Sequence, residues 1–565
     1  MELSKTPDSN TSTQITFIAG LGFLFWLIYK WSTRTDIPKI AGIFEVPNAW
    51  PIVGHLLALG DDHATKWWRQ YNHSIFQIRL GNTRAVVVNS FDDAKRMLLG
   101  FQSAVIDRPK LYTFHGVISS TQGFTIGSSP WDESCKNKRK AAGQTLGRPA
   151  MKTYRPMFDL ETYCIIRDVV QDNKGVDEYL EIRPYPQRYA LNTTLTLCYG
   201  IRMDSLWDDV LREVLEVGSA ISLLRSASEN YQDYIPILRY LPNNEKNRSS
   251  KSLRDRRDKY LNALLEKVKE MIEMGTDKPC VSAAILKDEE TKLSGVEVSS
   301  ICLSLVSGGF ETIPGTLTSC IGSLSTPEGQ LFQDRAYEDI KRRYPSIEDA
   351  WTTALDAEEV PYVNAIVKEA GRYYTVSSMS LPRKAAADID WDGAIIPKGT
   401  MILINAQAAN HSEEHFGPDA KTFNPERWLS SLEPPQEVPS TGLHHHSFGA
   451  GSRACSGQYI ASRMLYTALI RLISSFKIVA SEDEPPNVDY IEYNQFKSAL
   501  VAIPRDFKVQ MVPRDPEALE KCLALAEQRT EDASSQCQGC NYFAVWRLFM
   551  ACGWHKMLKV DMFAD

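Results

Sequence analysis

Residues 448–457 read FGAGSRACSG and place one cysteine, Cys455, in a glycine-rich loop with Phe448, Gly451, Arg453 and Gly457 around it. Glycines permit tight left-handed turns and let a large flat group approach the backbone. A thiolate held in such a loop is a strong, soft ligand for iron, and thiolate ligation is one way of holding haem. A guanidinium suits carboxylates, so Arg453 can pair with an anionic group such as a haem propionate. Phe448 can pack beside the sulfur and limit solvent access. The bland alternative is a buried free cysteine in a tight loop, the commoner fate of a lone Cys.

Three further segments hold residues able to do chemistry or to brace it. GGFET at 308–312 lies inside a long apolar stretch from about Val296 to Leu324. Ser294 and Glu297 form an S-x-x-E capping box at its start, which predicts a helix N-terminus. Gly308 and Gly309 weaken that helix, and Pro314 cannot donate to the carbonyl of Phe310. The Thr312 hydroxyl can bond a carbonyl in the preceding turn. Together they predict a kinked or opened helix beside a small polar site; an ordinary core helix with a proline kink is the alternative. EAGR at 369–372 follows the helical run PYVNAIVK and puts Glu369 and Arg372 on one helix face. FNPERW at 423–428 offers Arg427 as a partner for them; an isolated E-x-x-R is more often a solvated helix pair.

The spacing F-x-x-G-x-R-x-C-x-G resembles the haem-binding signature of the cytochrome P450 family, and the other three segments follow that family's order over about Pro47 to Arg514. The resemblance implies a mainly helical, triangular-prism domain with a small β-rich lobe, and haem b between the 295–324 helix and the Cys455 loop. Cys455 would be the axial ligand of the iron. Glu311 and Thr312 match the acid–alcohol pair that helps deliver protons during oxygen activation. Glu369, Arg372 and Arg427 match the family's structural lock beneath the haem loop. The family often carries a tryptophan with an arginine four residues later, both reaching a propionate; here Trp131 is followed at that distance by Cys135. Lys138, seven after Trp131, lies roughly on its face, and Arg383 of the LPR segment is a second propionate candidate. The run Lys136, Lys138, Arg139, Lys140 reads either as a docking patch for an acidic electron-transfer partner or as a solvated helix face.

Within the family, SPWDESCK at 129–136 and GGFETIPGTL at 308–317 look like fungal enzymes that hydroxylate phenylacetate and related small aromatics. The resemblance implies a monooxygenase that acts on a small hydrophobic or aromatic molecule in secondary-metabolite biosynthesis. It would use O2 and electrons from an NADPH-cytochrome P450 reductase, since no flavin or nicotinamide fingerprint is visible. A phenylacetate-type aromatic acid hydroxylase of catabolism, a reductase-independent haem isomerase or dehydratase, and a non-catalytic haem carrier are the alternatives. Pocket candidates are Phe114, His115 and Phe124 in the loop from Asp107 to Ser129, and Val376–Leu381; each can equally be ordinary packing.

The rest of the chain supplies the frame. Its 565 residues suffice for a large core, and 43% hydrophobic with 24% charged residues is ordinary for a globular chain. A net charge of -7 gives no support to nucleic-acid binding. Eleven scattered cysteines form no disulfide framework, which suits a reducing compartment. Within residues 15–31, Ile15 to Tyr29 is almost wholly apolar, with Trp26, Tyr29 and Trp31 at the downstream edge and Lys30, Arg34 and Lys39 after the apolar run. They predict a single-pass anchor in the endoplasmic reticulum membrane with the body in the cytosol; a cleaved signal peptide is the alternative. Residues 1–14, with the sequon Asn10-Thr11-Ser12, would then be lumenal, 32–54 a stiff proline-bearing linker, 55–514 the catalytic domain and 515–565 an extension.

Coarse patterning predicts a hairpin around Gly81-Asn82, a helix-rich middle over about 130–375, and a closing hairpin from Leu500–Ile503 and Phe507–Val512. The basic residues of 246–259 read as an exposed helix face. His444–His446 cannot all face one metal in an ordinary loop. Cys537, Cys540, Cys552 and His555 have a spacing that can bind zinc, though nothing else marks a finger.

Overall fold

The computed structural model describes residues 9–538 except 61, 174–177, 204, 207, 227–229, 243, 289–292, 430–442, 497 and 498, and leaves out the side chains of 9–16, 28 and 532–538. Cys540, Cys552, His555 and the side chain of Cys537 therefore lie outside the described residues. The longer helices are α1 (Ser9–Ser32), α2 (Glu133–Leu146), α3 (Arg155–Asp172), α4 (Pro184–Tyr199), α5 (Asp209–Leu223), α6 (Glu245–Glu273), α7 (Gly295–Ser325), α8 (Pro327–Arg343), α9 (Pro361–Tyr374), α10 (Gln458–Ser475) and α11 (Pro516–Gln538).

The capping box forms at the head of α7. Ser294 Oγ accepts from Glu297 N at 3.3 Å, and the Glu297 carboxylate accepts from Ser294 N at 2.9 Å. From there α7 runs unbroken to Ser325, through Gly308, Gly309 and Pro314. Of the kinked or opened helix expected there, the opening is not present. A Cβ on Gly309 would stand 2.2 Å from Thr194 Cγ2, so the glycine lets α4 pack close against α7. The Gly308 carbonyl accepts from Thr312 Oγ1 at 2.6 Å. The side where a Cβ of Gly308 would sit is open, with nothing within 4 Å.

The β-rich lobe begins with the expected hairpin. Strands β1 (Ile75–Leu80) and β2 (Thr83–Val88) pair antiparallel with Leu80 opposite Thr83, and Gly81 takes φ 55° at the turn. In the middle of the chain β3 (Leu180–Glu181) is the only strand among the described residues; β4 (Arg383–Lys384), β5 (Ile389–Trp391), β6 (Ala394–Ile396), β7 (Met401–Ile404), β8 (Phe476–Ala480) and β9 (Lys508–Pro513) follow later. The main sheet has the order β1-β2-β7-β4, with β2 and β7 parallel.

Three expectations about segments need correction. Residues 32–54, expected as a stiff linker, pack onto the folded body. The Gln77 side chain donates to the carbonyls of Ile40 and Ile43 at 2.8 and 2.6 Å, and Ile40, Ile43 and Val46 are buried. This clips the segment to the sheet. Residues 500–503 do not pair with β9, which lies between β3 and β8. Their backbone is used elsewhere: Ala502 N donates to the Val376 carbonyl at 2.7 Å. Finally, the chain after Arg514 starts as part of the core. Helix α11 buries Leu519, Cys522 and Ala526, and Arg529 donates to both oxygens of Asp159 in α3 at 2.6 and 2.9 Å.

Helix α1 is apolar from Phe17 to Tyr29, with Phe17, Ile18, Leu21, Phe23, Phe25 and Trp26 all exposed. A 24-residue helix extends about 36 Å at 1.5 Å per residue.

Glu369, Arg372 and Arg427 meet as expected. Arg372 Nε and Nη2 fork onto the two Glu369 oxygens at 2.8 and 2.7 Å, and both side chains have 0% exposure. Arg427 Nε reaches Glu369 Oε1 at 3.3 Å. Two further donors were not legible in the sequence: Trp428 Nε1 at 2.9 Å and Asn424 N at 2.8 Å. Arg372 also donates to the carbonyls of Asn410, Ala420 and Thr422. One carboxylate thus ties α9 to the segment leading to the Cys455 loop. Glu369→Ala strands Arg372 in the core, and breaking a buried pair costs about 3–5 kcal/mol. Thermal denaturation of that variant should show a large loss of stability, whereas Lys477→Ala on the surface should cost under about 0.5 kcal/mol.

Candidate active site

Cys455 sits at the junction of two cores. Ala450, at the start of its loop, packs with the β lobe, and Ile460, just beyond, packs with the helices. The turn requires glycine twice: Gly449 takes φ 65° and Gly451 φ 67°, and a Cβ on Gly451 would meet the Leu98 carbonyl at 2.5 Å. Gly457 has no such need, since a Cβ there would make only ordinary contacts, 3.9 Å from Cys455 Sγ. Cys455 N donates to the Phe448 carbonyl at 2.8 Å, and α10 starts three residues on. The helix N-terminus therefore lies beside the sulfur, where its dipole favours a thiolate.

Among the described free cysteines, Cys455 alone is exposed, and the space it faces is internal. Desolvation raises its thiol pKa, while the Gly457 N–H and the Arg139 charge pull the other way. The cavity has a volume of about 410 Å³. Phe448, Gly451's neighbour Gly449, Arg453 and Gly457 border it from the loop, and Gly308, Gly309, Glu311 and Thr312 from α7.

The charge around this cavity is lopsided. Arg108, Arg139, Arg225, Arg257, Arg383 and Arg453 line it with Lys368, and Glu311 is the single acidic residue among the described lining residues. Three of the arginines gather at the Cys455 loop. Arg139 donates to the Ala454 carbonyl at 3.1 Å and Arg383 to that of Ala450 at 3.4 Å. Arg453 donates to the Ser129 and Gly127 carbonyls at 2.7 and 3.2 Å and to Cys135 Sγ at 3.2 Å. Its Nε is buried without a partner, and its guanidinium lies over the Trp131 ring at 5.5 Å. Burial, together with repulsion from Arg453 and Arg139, lowers the Arg383 pKa to about 9. Such a trio calls for anions. A thiol open to a cavity, an unfilled space beside Gly308, and three mutually repelling guanidiniums fit a flat iron porphyrin with two propionates. Cys455 is placed to bind the metal, and Arg139, Arg383 and Arg453 are placed to hold the carboxylates.

Arg139 was missed as a ligand in the sequence, where it belonged to the basic run. It falls eight residues after Trp131, where helical period favours Lys138 instead, and it is the packing of α2 that turns Arg139 to the cavity. Lys138, the expected partner, points away: its Nζ donates to the Phe124 carbonyl at 2.8 Å and to Ser129 and Ser300. The basic run is thus split, with Lys138 buried, Arg139 facing the cavity, and only Lys136 and Lys140 exposed. Phe114 and Val376 line the cavity, as do Ser377, Ser380 and Leu381. Phe124 does not; its ring packs edge-on to His115 and its carbonyl binds Lys138 and Ser300. His115 and Met379 border a smaller adjoining cavity of about 120 Å³.

Glu311 differs from an ordinary helix carboxylate. Its Oε1 is buried without a hydrogen-bond partner. Desolvation raises its pKa to about 8, against the opposing pull of Ser222 and Arg225. The group is therefore a protonated acid at neutral pH, one residue from the Thr312 hydroxyl.

A model of the cytochrome P450 family matches residues 45–511. The chain is 45% identical over 526 residues to phenylacetate 2-hydroxylase of Emericella nidulans, covering 92% of this chain and 99% of that protein. It is 36% identical over 488 residues to 3-hydroxyphenylacetate 6-hydroxylase of the same organism, with 85% and 91% covered. It is also 36% identical over 476 residues to a cytochrome P450 monooxygenase of Mycosarcoma maydis, with 83% and 86% covered.

The Glu311 carboxyl has a signature in stability. Between the ordinary value of 4.5 and about 8 the folded protein keeps a proton that the unfolded chain has lost. Stability therefore falls as pH rises across that window and levels off above it. Glu311→Gln removes the titration. Its thermal midpoint should gain on the parent protein as pH is raised from 5 to 8, and the gap should stay constant from 8.5 to 9.5. Parallel curves would show that Glu311 ionises normally.

Proposed function

The chain belongs to the cytochrome P450 family and is a monooxygenase, and on that premise we propose that its substrate is a small aromatic acid of the arylacetate type. The observation that carries this reading is the cationic cavity above Cys455, supported by near full-length similarity to two enzymes named for phenylacetate substrates. A ring needs the apolar part of the cavity, and a carboxylate needs the positive part. Both observations favour an aromatic-acid hydroxylase over a secondary-metabolite enzyme.

When bound, haem on a thiolate supplies the reductive cleavage of dioxygen, which puts one oxygen atom into the substrate and releases the other as water. The protein's share is positioning and proton traffic. Cys455 anchors the iron, and Phe448 and the turn at Gly449–Gly451 keep water from the sulfur. Arg139, Arg383 and Arg453 fix the porphyrin by its carboxylates, and Trp131 backs Arg453. Thr312 holds its hydroxyl against the Gly308 carbonyl at 2.6 Å, on the side of α7 that faces the cavity. Glu311, protonated at neutral pH, is the internal source from which a proton can reach that hydroxyl. Phe114 and Val376 bound the space for the ring.

The two electrons come from an NADPH-cytochrome P450 reductase. Helix α1 is the membrane anchor that keeps both proteins on one surface, with the lysines and arginines after it on the cytosolic side of the endoplasmic reticulum.

The purified protein, reduced and given carbon monoxide, should show the strongly red-shifted Soret band of thiolate-ligated haem, and Cys455→Ser should abolish it. With reductase, NADPH and phenylacetate, mass spectrometry should find a product heavier by one oxygen. Thr312→Ala should lower product formed per NADPH consumed by several-fold while the carbon monoxide band is kept. Unchanged yield per electron would remove Thr312 from proton delivery.

A further inference from the structure

Of the six arginines that line the cavity, five have partners. Arg139, Arg383 and Arg453 donate to carbonyls at or opposite the Cys455 loop. Arg108 donates to the Leu381 and Pro382 carbonyls at 2.5 and 2.7 Å. Arg257 pairs with Asp258 at 2.7 Å and donates to the Ile118 carbonyl at 2.9 Å. The remaining one is Arg225, in the turn that ends α5. Its guanidinium has neither hydrogen bond nor ion pair among the described residues. It is fixed instead by the Phe114 ring, with the guanidinium carbon 4.2 Å from the ring centroid.

That stacking matters for recognition. A guanidinium laid on an aromatic face keeps its edge N–H groups available, and those N–H groups form the fork that matches a carboxylate. Arg225 also stands apart from the three arginines at the loop. They act on one another, whereas Arg225 lies near Glu311 and Arg108. It borders both the main cavity and the adjoining one, together with Phe114 and Arg108. The site therefore holds one set of cations at the sulfur end and a separate, unpaired cation on the α5 side.

We propose that Arg225 is the specificity residue that binds the carboxylate of an arylacetic acid, with Phe114 holding its fork in plane and the apolar wall at Val376 and Leu381 taking the ring. The proposal rests on the arylacetate reading above and names the residue responsible for it. Glu311 does not take this place, because no ion pair joins it to Arg225. Its raised pKa, about 8, also leaves it uncharged at neutral pH. A substrate carboxylate is then the anion that neutralises a desolvated guanidinium, which otherwise carries a cost in the interior.

The test is a spectral titration of the haem-loaded full-length enzyme with phenylacetate and with phenylacetamide, which has the same ring and no charge. In the parent protein phenylacetate should bind the tighter. Arg225→Gln should weaken phenylacetate by about 10- to 100-fold, the loss expected for a charge-assisted hydrogen bond, and phenylacetamide by less than about threefold. Arg225→Lys, with the charge but not the fork, should fall between. An undiminished carbon monoxide band shows that each variant is folded; if the Gln variant loses it, the Lys variant decides. Equal weakening of both probes, or no weakening, overturns the role of Arg225 while the arylacetate reading stands. A parent protein that binds the amide at least as well as the acid overturns both.

Discussion

Unbalanced positive charge governs the interior of this protein. Six arginines and one lysine border a cavity in which a single carboxyl competes for them, and that carboxyl is held protonated by its own burial. Guanidiniums do not shed their charge at physiological pH. The fold can therefore tolerate them only by giving their N–H groups carbonyls to bind or by taking in anions. Around the Cys455 loop the carbonyls of Ala450, Ala454 and Ser129 supply the first part of the answer. Two haem propionates would supply the second. Among the described residues the Arg225 guanidinium binds no carbonyl, and the same principle points there to a substrate.

Charge of the opposite kind holds the frame. Glu369 collects donors from Arg372, Arg427, Trp428 and Asn424, and Asp159 collects Arg471 and Arg529. In both places a buried carboxylate is saturated by hydrogen bonds, the condition under which such groups fix geometry instead of merely costing energy. The first joins α9 to the approach of the Cys455 loop, and the second ties α11 to the helical core. The sulfur is thereby held at the boundary between the sheet lobe and the helices, where a flat group can be gripped from both.

Local rules carried much of the fold. The capping box at Ser294 and the hairpin at Gly81 formed because each depends on residues three or fewer apart in sequence. The meeting of Glu369 with Arg372 follows from helical period. Local rules failed where a residue's partner lies far along the chain. Gly309 looked like a helix breaker, yet it makes room for Thr194, over a hundred residues earlier. The proline-bearing segment looked like a stiff linker, yet the Gln77 side chain ties it to the sheet. Leu500–Ile503 has the pattern of a strand, but its backbone is spent on Val376 and on Asn494 and Gln495.

The sequence by itself determined the chemistry: a cysteine in a loop that needs glycine at two turns, an acid and an alcohol side by side, and the carboxylate that locks the scaffold. Those readings depend on residue type and short spacing alone. Only the tertiary structure decided which cations face the cavity. Lys138 and Arg139 are neighbours in the chain, but a helix turns about 100° between them, and the packing of α2 sends one to the Phe124 carbonyl and the other to the cavity. Arg225 has no motif around it at all. Its meaning comes from the lack of a hydrogen-bond or ion-pair partner among the described residues, and that is a property of the surrounding space.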